Sequence, residues 1–520
     1  MIYFVDFSMP EKKSGIEHAE LKRLALFRDH GMAARLLTRD YSPRLHWNLN
    51  EAQVSDAESM NMFDYFQGAL AAASQPLTMN DLRFPANHEG LDIQWHEDEG
   101  RFYVLQNGQL YRRVSLFAGT QQVSNVQLFD RFGNLYRVDQ YDCRGFKTME
   151  QYYSQDNKVD MERYLHLDGS PAIIRYLKND AGGNEVDSRY TLLDYQGHDY
   201  DFDGMKTFLR FYLDEVAKHD PQVSVFISDR TMIDDWSISH MTAKAYKVLH
   251  LHNSQTVDAN DPAHAALNYN YAYALHNLQD WDAIVTATQK QTQAVKDRFK
   301  PKIPVFTIPV GIVPAATLSI PHVPMAERTP GKVIAVARIA NEKRLDDLIK
   351  AVHQARESVD NVTLDIYGYE NSEDNFAEPK KIKKLIKELD MGDVVTLKGY
   401  VPNLTPVYNS AQIFGLTSRM EGFDLALLEA VSHGVVGLAY DVNYGPAEII
   451  ENGKNGRLVD LGNWHQMADR LVKMLKNPVR LQEYSDAAYA SAGRFGAEPV
   501  WNAWVQLLID ANSKVADKEG

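Results

Sequence analysis

The chain has 520 residues, 44% hydrophobic and 24% charged, which is the make-up of a globular protein too long for one hydrophobic core, so two or three domains are expected. A formal net charge of −15 excludes nucleic acid bound across a broad surface. No apolar run reaches the ~20 residues of a membrane span, which excludes a transmembrane segment and leaves only peripheral membrane contact.

Met1–Phe7 lacks a basic leader and reads as an opening strand, so export is not indicated. The lone Cys143 rules out an intramolecular disulfide, suits a reducing cytoplasm and reads as structural. A turn at Ser14-Gly15 and a helical pattern from Ile16 to His30 complete a βα unit. From about 82 the rhythm changes to short aromatic and β-branched runs. They are punctuated by Asn107-Gly108, Gly133-Asn134, Arg144-Gly145, Asp156-Asn157, Asp168-Gly169, Gly182-Gly183 and Gln196-Gly197. After the first gap these turns recur about every 11 to 14 residues, the spacing of a β-meander.

Helical spacing returns after Met205, followed by a strand candidate at Val223–Ile227. Residues 1–81 alone hold too few strands for a doubly wound sheet, so they are joined to 205–310 as an N-terminal Rossmann-like domain, with 82–204 inserted as an all-β domain. From 331 apolar strands at Val333–Ala337, Val362–Tyr367, Val394–Leu397, Ile413–Leu416 and Val435–Tyr440 alternate with helical or loop segments, which predicts a parallel sheet within a second Rossmann-like domain, 311–498. The remaining 499–520 forms a last helix and tail, with Trp501, Trp504, Leu507 and Leu508 at helical spacing to pack across both α/β domains. The fold class is α/β with an inserted antiparallel β domain.

The most informative stretch runs from Ser418 to Ala430, following one strand and opening a helix. Gly422 permits close backbone approach, and the amides after it sit at a helix N-terminus, where they can bind a diphosphate or sugar hydroxyls. Glu421 lies in the loop, and Glu429, eight residues on, would be about 12 Å further along the helix. That distance suits one carboxylate at each end of a nucleotide sugar.

Glu421 and Glu429, in a strand, Glu-Gly-Phe, helix context, resemble the donor signature of the family 4 retaining glycosyltransferases, which have two Rossmann-like domains facing across a cleft (GT-B type). The resemblance covers most of 205–495. It implies a UDP-sugar donor, with Glu421 on the sugar near its 3-hydroxyl, Glu429 on the ribose, and Gly422, Phe423, Asp424 and Leu425 lining the donor. Asp424 departs from the small residue frequent at that position. Arg338 and Lys343 match the family's diphosphate-binding pair, and no metal is expected to replace them. Tyr400 and Leu404, in Gly399-Tyr400-Val401-Pro402-Asn403-Leu404, resemble the uracil loop, and Ser14-Gly15 the N-domain loop facing the diphosphate. His252 matches a catalytic position near donor and acceptor, with His250 as competitor.

Asp201-Phe202-Asp203 has the form of a metal-binding Asp-x-Asp but lies at the end of the insert, where a hinge or solvated turn is the better reading. Lys380, Lys381, Lys383, Lys384 and Lys387 read as the wet side of one helix. The β insert and the stretch Tyr444–Ile450 resemble a narrower bacterial group, the teichoic-acid α-glycosyltransferases and the serine-rich or serine-aspartate-repeat protein glycosyltransferases. In that group the β domain serves oligomerisation or acceptor binding, which implies a homo-oligomer here. The expected reaction is transfer of GlcNAc, or next glucose, to Ser or Thr of an adhesin-like surface protein. The alternatives are a teichoic-acid polyol phosphate acceptor, a catalytically silent glycosyltransferase-like chaperone partner, and a non-hydrolysing epimerase.

Overall fold

In the computed structural model, residues 1–85, 90–220 and 224–516 are described. They fall into two compact units: 1–17 with 32–247, and 18–31 with 248 to the C-terminal helix. Among the described residues no helix is long and apolar enough to cross a membrane.

In the first unit the strands Ser224–Ser228, Ile2–Asp6, Ala34–Thr38 and Ser59–Asn61 pair in parallel, in that order. Val223, the expected start of one of them, lies outside the described residues. Ile2–Asp6 is buried along its whole length, as a parallel strand covered on both faces must be. The helix Met62–Gln67 follows, capped by Asn61, whose side chain accepts from the Phe63 and Asp64 amides, and closed by Gly68 at φ 67°.

The expected all-β insert is a ten-stranded antiparallel sheet in meander order, from Leu91–His96 to His198–Phe202. Every turn named from sequence joins two of its strands. The long first gap holds a further turn, in which Phe117 and Gln122 are bonded and Gly119 takes φ 75°. Its Ala-Gly-Thr apex carries none of the Asn-Gly or Asp-Gly signals. Arg144 anchors the sheet to the α/β part of its unit, donating to the Ala69 carbonyl at 2.7 Å and to Asp64 at 2.9 Å. Next to it, Gly145 is at φ 101° where a Cβ would run into the Gln75 carbonyl, so the turn requires glycine. Cys143 is buried and its thiol is pushed up to about 12 by burial and by Asp142, a structural rather than a reactive setting. Asp201 lies on the last strand rather than in a turn, and Arg189 engages both it and Asp203, at 2.9 and 3.4 Å.

The second unit holds a parallel set, Ala245–Leu251, Ala283–Thr286 and Val305–Thr307, paired from Val248 onward. It also holds a six-stranded parallel sheet, ordered Val395–Gly399, Thr363–Tyr367, Lys332–Val336, Ile413–Leu416, Val436–Tyr440, Gly456–Val459. Numbered in chain order this is 3-2-1-4-5-6, the doubly wound topology. The last strand is absent from the sequence expectation, because Gly-Arg-Leu-Val is short and holds only two apolar residues. Successive residues of the first strand feed opposite faces: Val333 and Ala335 join Leu364 and Ile366 in one core, and Ile334 joins Phe414 and Leu428 in the other. All five lysines from 380 to 387 lie on the helix Glu373–Glu388, where Lys381, Lys383 and Lys384 are 49%, 55% and 76% exposed as a solvated face requires, although Lys381 also reaches Asp346 of the helix Leu345–Arg356.

Candidate active site

A doubly wound sheet binds ligands beyond the carboxyl ends of its strands where the order reverses, here between Lys332–Val336 and Ile413–Leu416. The loops leaving these two strands carry Arg338, Lys343 and Glu421. Arg338 pairs with Glu342 at 2.8 Å, an exposed contact between neighbours in one turn. Lys343 lies in the 3-10 turn Asn341–Lys343, and its Nζ is 2.6 Å from Glu421 Oε1, with the pair 20% and 12% exposed. Burial alone would lower the Lys343 ammonium, but Glu421 and Asp424 outweigh it and hold it raised. The two loops are also bolted together: the Thr417 hydroxyl donates to the Lys343 carbonyl at 3.0 Å and the Arg419 amide to the Glu342 carbonyl at 2.8 Å. Arg344 turns aside at φ 46° and pairs with Asp347 at 2.7 Å, a structural post.

Glu421 is held through its backbone. Its amide donates to the Asn443 carbonyl at 3.2 Å, and its carbonyl accepts from the Tyr444 and Gly445 amides. The Tyr444 hydroxyl in turn accepts from Gln255 at 2.7 Å, and Asn443 donates to the Ala259 carbonyl at 2.7 Å. Gly422 is packed against the His252 carbonyl, which a Cβ would strike. The glycine thus brings the acidic loop onto the residue that follows Ala245–Leu251. Phe423 is buried, edge-on to Phe495 at 5.4 Å, so its side chain belongs to the core and only its backbone faces outward chemistry. Leu425 packs on the same core.

Asp424 caps the helix Leu425–Ser432, accepting from the Leu427 amide at 2.7 Å with its own φ at 81°. Burial and then Glu421 push its carboxyl up to about 7, against the pull of Lys343. Because the helix starts only at Leu425, residues 421–424 do not contribute helical rise, and the 12 Å separation counted over eight helical residues does not apply. Glu429 is on the helix, with Oε1 2.6 Å from Lys22 Nζ and Oε2 accepting from the Tyr408 hydroxyl at 3.2 Å. Neither partner is visible from spacing. Lys22 lies on the helix Gly15–Asp29 and Tyr408 on the short helix Thr405–Ser410.

Tyr400 is 36% exposed just past Val395–Gly399, its hydroxyl raised by partial burial and by Tyr369. Leu404 is half-buried on the core that also takes Leu428. The rings of His250 and His252 lie 4.0 Å apart, as residues two apart on one strand face should. His250 is buried, with Nδ1 3.1 Å from an Arg23 nitrogen, whereas His252 is half-buried. Ser14 and Gly15 belong to the first unit. There Gly15 opens the helix Gly15–Asp29, the Ser14 amide donates to Glu17 at 2.5 Å, and its hydroxyl accepts from Arg230 at 3.1 Å.

The arrangement gathers two carboxylates able to accept from hydroxyls, two cations able to meet a diphosphate, and a helix N-terminus. Two family profiles match this chain: "Glycosyl transferases group 1" over residues 323–491, and that of an accessory Sec system protein over residues 11–402. The chain is 26% identical to the UDP-N-acetylglucosamine--peptide N-acetylglucosaminyltransferase GtfA subunit of Streptococcus gordonii, over 99% of both chains. It is 22% identical to the poly(ribitol-phosphate) alpha-N-acetylglucosaminyltransferase of Staphylococcus aureus, over 98% of this chain and 99% of that one. Among solved structures it is similar in fold to the pneumococcal O-GlcNAc transferase GtfA in complex with UDP and GlcNAc, with a TM-score of 0.81, 21% identity and 98% of each chain covered.

Proposed function

The chain belongs to the glycosyl transferases group 1 family and to a family of accessory Sec system proteins, it is a UDP-sugar glycosyltransferase, and from that premise we propose that it transfers GlcNAc with retention to Ser or Thr of an adhesin-like surface protein. The observation that carries the donor side is the Lys343–Glu421 pair, held at the reversal point of the doubly wound sheet beside the N-terminus of Leu425–Ser432. Glu421 takes the sugar hydroxyls and Glu429 the ribose, while Tyr400 and Leu404 flank the uracil.

The acceptor oxygen bonds to the anomeric carbon on the face from which UDP departs. As the bond from that carbon to the β-phosphate oxygen breaks, the same phosphate oxygen takes the acceptor's proton. Arg338 and Lys343 offset the charge that grows on UDP. The His252 carbonyl, already against Gly422, is placed to meet positive charge at the anomeric carbon. These groups supply the charge stabilisation without a metal ion. The donor choice follows the GlcNAc in the names of the S. gordonii and S. aureus relatives, and the word "subunit" in the first supports a partner chain beside self-association through the insert. A UDP-sugar donor goes with action in the cytoplasm.

The S. aureus relative favours a second acceptor, the polyol phosphate of teichoic acid. Mass spectrometry of Ser/Thr-rich peptides and of teichoic-acid fragments, each incubated with a panel of UDP-sugars, separates the two. A mass gain of one N-acetylhexosamine on peptide alone is expected. No UDP release with any donor would leave the silent partner suggested by the accessory Sec match, and donor turnover without acceptor product would point to an epimerase.

A further inference from the structure

Residues 18–31, most of the first helix and the turn after it, belong to the same compact unit as the donor wall. They are pinned there by aromatic packing. Phe27 meets Trp501 and Trp504 edge-on at 5.3 and 5.6 Å, and His30 stacks on Trp501 at 4.3 Å. The Arg23 guanidinium lies 5.5 Å from the centroid of Trp504 and is bonded to His250. The adjacent Lys22 is therefore delivered from an anchored backbone, and its Nζ reaches Glu429 at 2.6 Å. Among the lysines of Glu373–Glu388, Lys384 behaves differently: it pairs with Glu388 four residues away on its own helix, and the two are 76% and 56% exposed. The Lys22–Glu429 pair spans 407 residues of chain and is 23% and 35% exposed.

Glu429 thus has both oxygens engaged on the protein side, Oε1 by Lys22 and Oε2 by Tyr408. An ionised carboxylate has about four lone-pair sites, so about two remain for the two neighbouring hydroxyls of a ribose. A long flexible glutamate would otherwise lose rotamer freedom only when the ligand binds, a cost that falls on affinity. We propose that Lys22 is a positioning residue for donor binding: its ammonium pre-orients Glu429, and with it the ribose subsite, before the UDP-sugar arrives. The proposal rests on the assignment of Glu429 to the ribose. It makes Lys22 act through Glu429 and not on the diphosphate.

Calorimetric titration of UDP and of uridine into wild type, Lys22→Met, Lys22→Arg, Glu429→Gln and the Lys22→Met/Glu429→Gln pair tests this, with thermal melts to verify folding. Lys22→Met is expected to weaken UDP and uridine by the same factor, about tenfold, the size of one charge-assisted hydrogen bond. KM for the UDP-sugar rises in step while kcat stays within about twofold, Lys22→Arg recovers most of the loss, and Lys22→Met adds nothing in the Glu429→Gln background. Unchanged binding in Lys22→Met would reduce the pair to an inert surface contact and overturn the proposal. So would a loss for UDP without one for uridine, which would put the lysine on the diphosphate. If Glu429→Gln itself binds UDP as wild type does, the ribose assignment fails, and that result is distinct from a failure of Lys22 alone.

Discussion

The six-stranded parallel sheet and the ten-stranded meander both carry many charges, and they place most of them differently. In the meander, charge is consumed across strands: Arg175 joins Glu162 at 2.8 Å to Asp187, and Glu150 accepts from Lys147 at 2.6 Å and from Arg163. These ladders lie mid-strand and leave each acid with partners on its own sheet. In the parallel sheet Asp365 meets Lys332 and Lys398 across its first three strands, at 3.3 and 3.4 Å, but the larger gathering of charge lies past the carboxyl ends, where Lys343, Glu421, Asp424 and Glu429 converge. Position relative to the sheet, more than the count of charges, separates the two roles.

Glu421→Ala should break the contrast hardest, lowering kcat by roughly 10²–10³-fold in a UDP-release assay, because a group aimed at the reacting sugar is lost. Full transfer by this variant would remove Glu421 from the reaction. Gly422→Ala comes next. A methyl driven into the His252 carbonyl must shift the acidic loop, and a displacement near 1 Å costs about 10²-fold in activity while the circular dichroism spectrum stays native. Arg175→Met tests the other region: unfolding in urea should show a loss of about 1.5–3 kcal/mol with KM for the donor unchanged. A changed KM would mean that the meander's ladder reaches the donor site.

Asp424→Asn sharpens the comparison through pH. Folding raises this carboxyl from its ordinary 3.8 to about 7, chiefly by burial. Between those values the native state binds a proton that the unfolded state does not, so stability falls as pH rises through the window and levels off above it. Asparagine keeps the cap and has no such proton, so the melting temperature of the variant relative to wild type should climb from about pH 5 to about pH 8. A difference independent of pH would mean that Asp424 stays ionised throughout. The smallest effect belongs to Arg344→Ala, expected to keep UDP release within about twofold because Arg344 braces a turn and the buried Asp347 it leaves keeps Tyr440 and Lys350 as partners.

Much of this is legible in the sequence, and for stated reasons. Parallel strands buried on both faces are unbroken apolar runs, and the meander's turns need glycine or asparagine at positive φ, as at Asn107, Asn157 and Gly169. Arg338, Lys343, Glu421 and Glu429 can be named because the strand, loop and helix context around each resembles the family's donor signature. What stays hidden depends on contacts far apart in the chain. Tyr408 and Lys22 meet Glu429 only after folding, and the 12 Å estimate counts residues 421–424 as helical rise although the helix begins only after its cap, Asp424. That the Phe423 ring packs in the core is decided by Phe495 and by Gly311, whose missing Cβ leaves the ring its space.

Arg328 is 2% exposed and, among the described residues, pairs with no carboxylate; burial lowers its guanidinium, which is held by the carbonyls of Val323, Tyr408, Ala411 and His433 and by the Tyr489 hydroxyl. Three of those carbonyls close the short helix bearing Tyr408 and the helix bearing Glu429. A guanidinium that ends two helices at once makes them open together, so amide hydrogen exchange across 405–411 and 425–433 should proceed as one cooperative event, and the Tyr408–Glu429 contact should form or dissolve with both helices as a piece.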